Sequence, residues 1–202
     1  MRRKKNQWIY WILWVIFMVV FFVWHPFYKF RKRENIPDDG CMIVANHSSM
    51  TDPIWILMAL GARRGSYIMA KKEVMELPIL PPILRWIGVF GVDRGGADLA
   101  AVKTSLEVLK NGENLMIFPE GTRVRPGQTV EAKTGAAMMA QRAGAKVLPV
   151  YVTQNKKPFR PVEVIFGEPY EIRAAGRRIT SAELDEATAH MMTTIYDLGA
   201  KA

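Results

Sequence analysis

Cys41-Met42-Ile43-Val44-Ala45-Asn46-His47-Ser48-Ser49-Met50-Thr51-Asp52-Pro53 is the stretch on which the reading of this 202-residue chain turns. Five apolar residues give way to small polar ones and then to an Asp-Pro pair. An apolar run of that length, bounded by turn residues, fits a buried strand. An acid followed by proline is how many helices begin, since the side chain caps free N–H groups and proline lacks the one it would leave unpaired. Asp52 therefore reads as a helix cap or as a functional carboxylate. His47 sits where open α/β sheets hold their chemistry, in the loop between the end of a strand and the next helix. Cys41 reads as a buried thiol. As the single cysteine it excludes an intramolecular disulfide and a zinc site of the multi-cysteine kind.

Outward from this stretch the same kind of apolar run recurs at 66–70, 89–92, 114–118, 147–153 and 162–166. Between several of them lie helical patterns, at 97–110, at 132–143 and at 181–198. The last follows Thr180, with Glu183 three residues on, a capping-box spacing. Strands alternating with helices predict an α/β fold, a sheet with helices around it. Pro37, Asp38, Asp39 and Gly40 read as the end of a linker into this domain. There is no internal repeat, no Gly-x-Gly-x-x-Gly and no Walker loop.

The chain carries a net charge of +9. Eight of the basic residues lie within 1–33 (Arg2, Arg3, Lys4, Lys5, Lys29, Arg31, Lys32 and Arg33), and no acid does. The remainder is close to neutral, which argues against a nucleic-acid surface. The cations flank an uncharged run from Trp8 to Trp24. As a helix it reaches roughly 26 Å, marginal for a span that usually needs about 20 residues. Trp8, Tyr10, Trp11 and Trp14 near one end, and Trp24, Phe27 and Tyr28 at the other, suit the headgroup level. Trp24-His25-Pro26 is a poor signal-peptide cleavage site. The two basic clusters are equal, so the positive-inside rule gives a simple span no orientation. A helix that dips into one leaflet keeps both clusters at an anionic cytoplasmic surface and is the favoured reading. The expectation is an anchor over 1–33 at the cell membrane, with a domain over 34–202 on its cytoplasmic side.

Two further strand ends carry polar groups. Phe118-Pro119-Glu120-Gly121-Thr122-Arg123 offers a carboxylate, a hydroxyl and a guanidinium, with a glycine that lets the backbone turn or approach a ligand. Gly88-Val89-Phe90-Gly91-Val92-Asp93-Arg94 ends in another cation. Alone, the first also reads as a polar turn with a surface ion pair, and Arg94 by itself is more often a solvated end than a ligand. Together they describe a base, an acid that orients it, and guanidiniums suited to a phosphate.

These blocks resemble the glycerolipid acyltransferases. Asn46–Asp52 is similar to their His-x4-Asp motif, and Phe118–Arg123 to their Phe-Pro-Glu-Gly-Thr-Arg motif. Gly88–Arg94 and Val147-Leu148-Pro149-Val150 are similar to two further blocks, in the same order. Ala70-Lys71-Lys72-Glu73 and 133–137 also resemble family stretches, and the likeness is greatest to the bacterial 1-acylglycerol-3-phosphate acyltransferases. Gly91 and Val124 depart from the pattern, where a larger residue and a serine are usual.

The resemblance implies a mixed sheet surrounded by helices and an acyl transfer to the 2-hydroxyl of a 1-acylglycerol 3-phosphate, giving phosphatidic acid. It implies His47 as general base with Asp52 behind it, and Arg94, Arg123 and Lys71 as phosphate ligands. Glu120, Gly121 and Thr122 would contact the acceptor. The donor would be acyl-CoA or acyl carrier protein, a substrate; no cofactor or metal is implied. The other partners would be membrane lipids. Two alternatives within the chemistry are transfer to another lyso-lipid, such as lyso-ornithine lipid, or to glycerol 3-phosphate. A non-catalytic lipid-binding protein would need the anchor but not both His47 and Asp52.

Overall fold

In the computed structural model, which describes residues 7–61, 66–76, 84–85, 88–93, 96, 98–125, 127–176 and 178–201, the apolar runs pair into one sheet. Its strands are β1 (Tyr28–Arg31), β2 (Met42–Ala45), β3 (Ser66–Lys71), β4 (Val89–Val92), β5 (Asn114–Ile117), β6 (Val147–Val152) and β7 (Val162–Phe166). Their spatial order is β1-β7-β6-β2-β5-β3-β4. From β6 to β4 all neighbours are parallel, whereas β7 is antiparallel to β6 and β1 is parallel to β7. The sheet is therefore mixed, and six of its strands are the runs expected from the sequence.

The helices are α1 (Gln7–Trp24), α2 (Asp52–Leu60), α3 (Leu99–Lys110), α4 (Gly135–Ala143) and α5 (Ser181–Ala200). Alternation along each strand sorts them into two layers. Met42 and Val44 join Leu115, Ile117 and Val147 beneath α3, α4 and α5. Ile43 and Ala45 join Met116, Leu148 and Trp55 of α2 on the opposite face. Burial on both faces is why the central strands read as continuous apolar runs. Asp98 starts α3 by accepting the N–H of Ala101 at 2.9 Å. Thr180 and Glu183 form the expected capping box on α5.

β1 lies within the span that the sequence assigned to the anchor. Tyr28 and Phe30 are half-buried, while Lys29 and Arg31 are exposed. This is the period-two pattern of an edge strand. Arg31 pairs with Glu163 of β7 at 2.9 Å. The second basic cluster thus starts on the sheet edge. α1 packs Met18 and Phe21 on the same core. Phe21 meets Trp55 edge-on at 4.9 Å between centroids, and His25 meets the same ring at 5.4 Å. Trp55 is fully buried, so the N-terminal helix rests on the helix that begins with Asp52. No helix among the described residues is long and apolar enough to cross a membrane.

Candidate active site

The parallel strands bring the sequence's polar clusters to one edge of the sheet. His47 follows β2, Glu120 and Arg123 follow β5, and Lys71 ends β3. Arg94, expected just past β4, lies outside the described residues. The loop after β6 lies on the other side of β2.

Asn46 makes the turn out of β2. Its side chain is fully buried; it accepts the N–H of Val152 at 2.8 Å and donates to the carbonyl of Val152 at 2.9 Å. The amide thus pairs with β6 as another strand residue would, while the backbone departs toward α2. His47 follows, with its ring stacked on Phe118 at 4.2 Å. Its backbone is held twice from the β5 loop. The His47 N–H donates to Glu120 Oε2 at 2.7 Å, and its carbonyl accepts the N–H of Val124 at 2.7 Å. Val124 is buried, which gives the departure from serine there a packing reason. Gly91 has one too: the short helical turn at Lys72–Glu76 brings Lys72 Cα within 3.2 Å of where a Cβ would sit.

Asp52 is not the helix cap that Asp-Pro implied. Thr51 occupies that position, Asp52 opens the helix and Pro53 follows. The carboxylate turns back across the loop instead. Oδ2 accepts from Nδ1 of His47 at 2.9 Å, from the N–H of Ser48 at 2.7 Å and from the N–H of Ser49 at 2.7 Å. Oδ1 receives Nζ of Lys156. Burial alone would raise the pKa of this carboxyl. The bond to His47, the Lys156 ammonium and the Ser49 N–H outweigh it and hold the group below its ordinary value. An ionised carboxylate accepts only, so in the neutral ring Nδ1 carries the proton and Nε2 the lone pair. The His47 side chain retains 15% exposure while that of Asp52 has none, which leaves the base reachable from outside.

Lys156 and Tyr196 were not read from the sequence as site residues. The Lys156 side chain is 4% exposed and also donates to Ser48 Oγ at 3.3 Å. Burial pulls the pKa of its ammonium down, opposed by Asp52. A cation shortly past the end of β6 was the available signal, the same kind that marked Arg94. Tyr196, in the C-terminal part of α5, donates its hydroxyl to Oε1 of Glu120. Burial raises the pKa of Glu120, against the bonds from Tyr196 and from the backbone of His47. Nothing local marks Tyr196, because its partner lies 76 positions away.

The other expected ligands divide. Arg123 and Thr122 are exposed, and Arg123 makes no hydrogen bond or ion pair among the described residues. Lys71 is paired with Glu73 at 2.7 Å at the surface. Gly121 sits at φ 64°, and a side chain there would meet the Lys133 stem at 3.3 Å. That positive φ turns the backbone of the loop there. Among the described residues no three His, Cys, Asp or Glu side chains are grouped to hold a metal.

The buried carboxylate has a consequence for acid stability. Because the folded pKa of Asp52 is depressed, its contribution is full above the unfolded value and is lost as pH falls through the folded one. Urea midpoints should drop as the pH falls below the ordinary carboxylate range. Asp52→Asn should flatten that limb, and an unchanged limb would assign the acid sensitivity elsewhere.

Known proteins resemble this chain in sequence and fold. The family profile described as acyltransferase matches residues 28–153. The 1-acyl-sn-glycerol-3-phosphate acyltransferase of Bacillus subtilis (strain 168) is 33% identical over 147 residues, which is 70% of this chain and 72% of that protein. The enzyme of the same name from Borreliella burgdorferi is 34% identical over 127 residues, 60% of this chain and 50% of its own; the chain thus spans only half of that relative. The crystal structure of the 1-acyl-sn-glycerophosphate (LPA) acyltransferase PlsC from Thermotoga maritima superposes with a TM-score of 0.73, covering 99% of this chain and 83% of that one. At 24% identity that likeness establishes the mixed α/β fold. The profile begins at β1, ends just past β6 and takes in well over half the residues; the chain belongs to the acyltransferase family.

Proposed function

We propose that this chain transfers an acyl group from a thioester donor to the 2-hydroxyl of a 1-acylglycerol 3-phosphate, yielding phosphatidic acid. The observation that carries the reading is the buried, ionised Asp52 holding Nδ1 of His47 at 2.9 Å while Nε2 stays free. Nε2 takes the hydroxyl proton as the oxygen attacks the thioester carbon. The imidazolium that forms faces the Asp52 carboxylate. Collapse breaks the carbon–sulfur bond, and the proton passes to the departing thiolate. No covalent enzyme intermediate is required. Acyl-CoA or acyl carrier protein would supply the thioester.

Glu120 holds the base in place. Both of its oxygens are engaged by protein donors, the His47 N–H and Tyr196. The role this supports is bracing the catalytic loop against α5, in place of the contact with acceptor implied by the resemblance. Arg123, exposed beside that loop and without a side-chain partner among the described residues, would take the acceptor phosphate, with Arg94 as the second. The acceptor and the product are membrane lipids, consistent with an anchor packed on α2.

Replacing Arg123 with Ala tests the acceptor. A hydrogen bond to a charged group contributes about 1.5–3 kcal/mol, so kcat/KM for lysophosphatidate should fall roughly ten- to a hundred-fold. Monoacylglycerol, which lacks the phosphate, should be nearly unaffected in the same assay. Equal losses on both acceptors would make Arg123 a structural residue and remove the phosphate reading.

A further inference from the structure

The loop between β6 and β7 carries an aromatic residue in a costly position. Phe159 has φ 60°, a left-handed backbone that is unfavourable for a bulky side chain. Its ring is 67% exposed. Pro158 and Pro161 bracket the segment, and Arg160 closes a turn onto the carbonyl of Lys157 at 3.1 Å. Phe159 is also tied to the N-terminal segment. Its N–H donates to the carbonyl of Trp24 at 3.1 Å, and the N–H of Val162 donates to the carbonyl of Phe27 at 2.9 Å. Trp24 and Phe27 are 60% and 59% exposed. Three large aromatic side chains, two from the N-terminal segment and one from a loop far along the chain, thus project from one hydrogen-bonded patch.

Lys157 and Arg160 in the loop and Lys29 on β1 are exposed around this patch. Glu163, opposite Lys29 in the β1–β7 register, is engaged by Arg31. The patch continues onto the exposed apolar face of α1, which presents Ile12, Ile16, Val19 and Val23. Aromatic rings beside cations, at the end of an apolar helix, are the composition that seats at a lipid headgroup layer.

We propose that the 157–161 loop is a second membrane-contacting element, inserting Phe159 beside Trp24 and Phe27 into an anionic bilayer surface while Lys157 and Arg160 meet lipid headgroups. This rests on the reading of residues 1–33 as an anchor and extends it to a loop that sequence patterning did not mark. Lys156, the residue just before this loop, holds Asp52. The bilayer contact and the catalytic carboxylate are therefore joined by a few residues of chain, which keeps His47 at the surface where a lyso-lipid headgroup lies.

The test uses the full chain with Phe159→Cys carrying an environment-sensitive NBD dye. Cys41 is buried and stays unlabelled. Leu99→Cys, labelled alike, reports from an exposed site on α3. The probe is vesicles of phosphatidylcholine with phosphatidylglycerol, with and without shallow nitroxide lipids. The dye at 159 should shift to the blue on binding and be quenched by the nitroxide; the dye at 99 should do neither. Phe159→Ser should bind the same vesicles roughly tenfold more weakly. Lys157→Gln or Arg160→Gln should weaken binding about fivefold each. Turnover of a dispersed short-chain substrate should be unchanged in all three. Protein that sediments with vesicles while the dye at 159 stays in water would overturn the loop proposal and keep the anchor. A dye that shifts only with protein concentration would assign the patch to a second copy of the chain and overturn it too. Protein that ignores the vesicles would overturn both.

Discussion

His47→Ala should lower acyl transfer by about 10²–10⁴-fold, the usual contribution of a positioned general base. A neutral alcohol is a weak nucleophile at neutral pH, and a thioester supplies a leaving group but no base. In this site the imidazole presents Nε2 with its other nitrogen fixed by a carboxylate. The variant should stay folded. Asp52 keeps Lys156 and the Ser48 and Ser49 N–H groups, so no buried charge is orphaned. The stacking on Phe118 is lost, which costs about 1 kcal/mol. Transfer to lysophosphatidate, followed by product mass spectrometry, and a urea melt separate the two effects. A fully active His47→Ala would remove the mechanism and leave lipid binding as the reading.

Asp52→Asn should cut transfer by at least two orders of magnitude, since the imidazolium then faces no negative charge. If Asp52 were only a helix cap, Asn would serve as well and stability would barely move. The geometry gives the opposite expectation. Asp52 is the ion-pair partner of Lys156, whose side chain is almost fully buried. Breaking such a pair from one side costs about 3–5 kcal/mol. Deprotonation of Lys156, whose pKa is already pulled down, relieves part of that cost. The double variant Asp52→Asn/Lys156→Met removes both charges together, so it should recover most of the stability. It should not recover activity. A double variant that regained turnover would mean that Asp52 serves only to neutralise Lys156.

Much of this molecule is decided locally, and that part is legible from the chain. β2, β5, β6 and β7 are apolar runs because each is buried on both faces or nearly so, and burial leaves its mark on composition. The start of α5 is written in Thr180 and Glu183, three residues apart. His47 and Asp52 are close because only four residues separate them, so their pairing follows once the loop after β2 turns. What the chain could not show on its own depends on partners far away in sequence. β1 is four residues of alternating aromatic and cation, and it becomes a strand only because β7 lies more than 130 positions on. Lys156 reaches Asp52 across 104 positions, and Tyr196 reaches Glu120 across 76. Asp52 could not be separated from a helix cap by spacing, because cap and catalytic carboxylate share the same Asp-Pro signature. The physical reason is the same in each case. A hydrogen bond or ion pair between distant residues is set by strand order and sheet twist, and these arise only when the whole core closes.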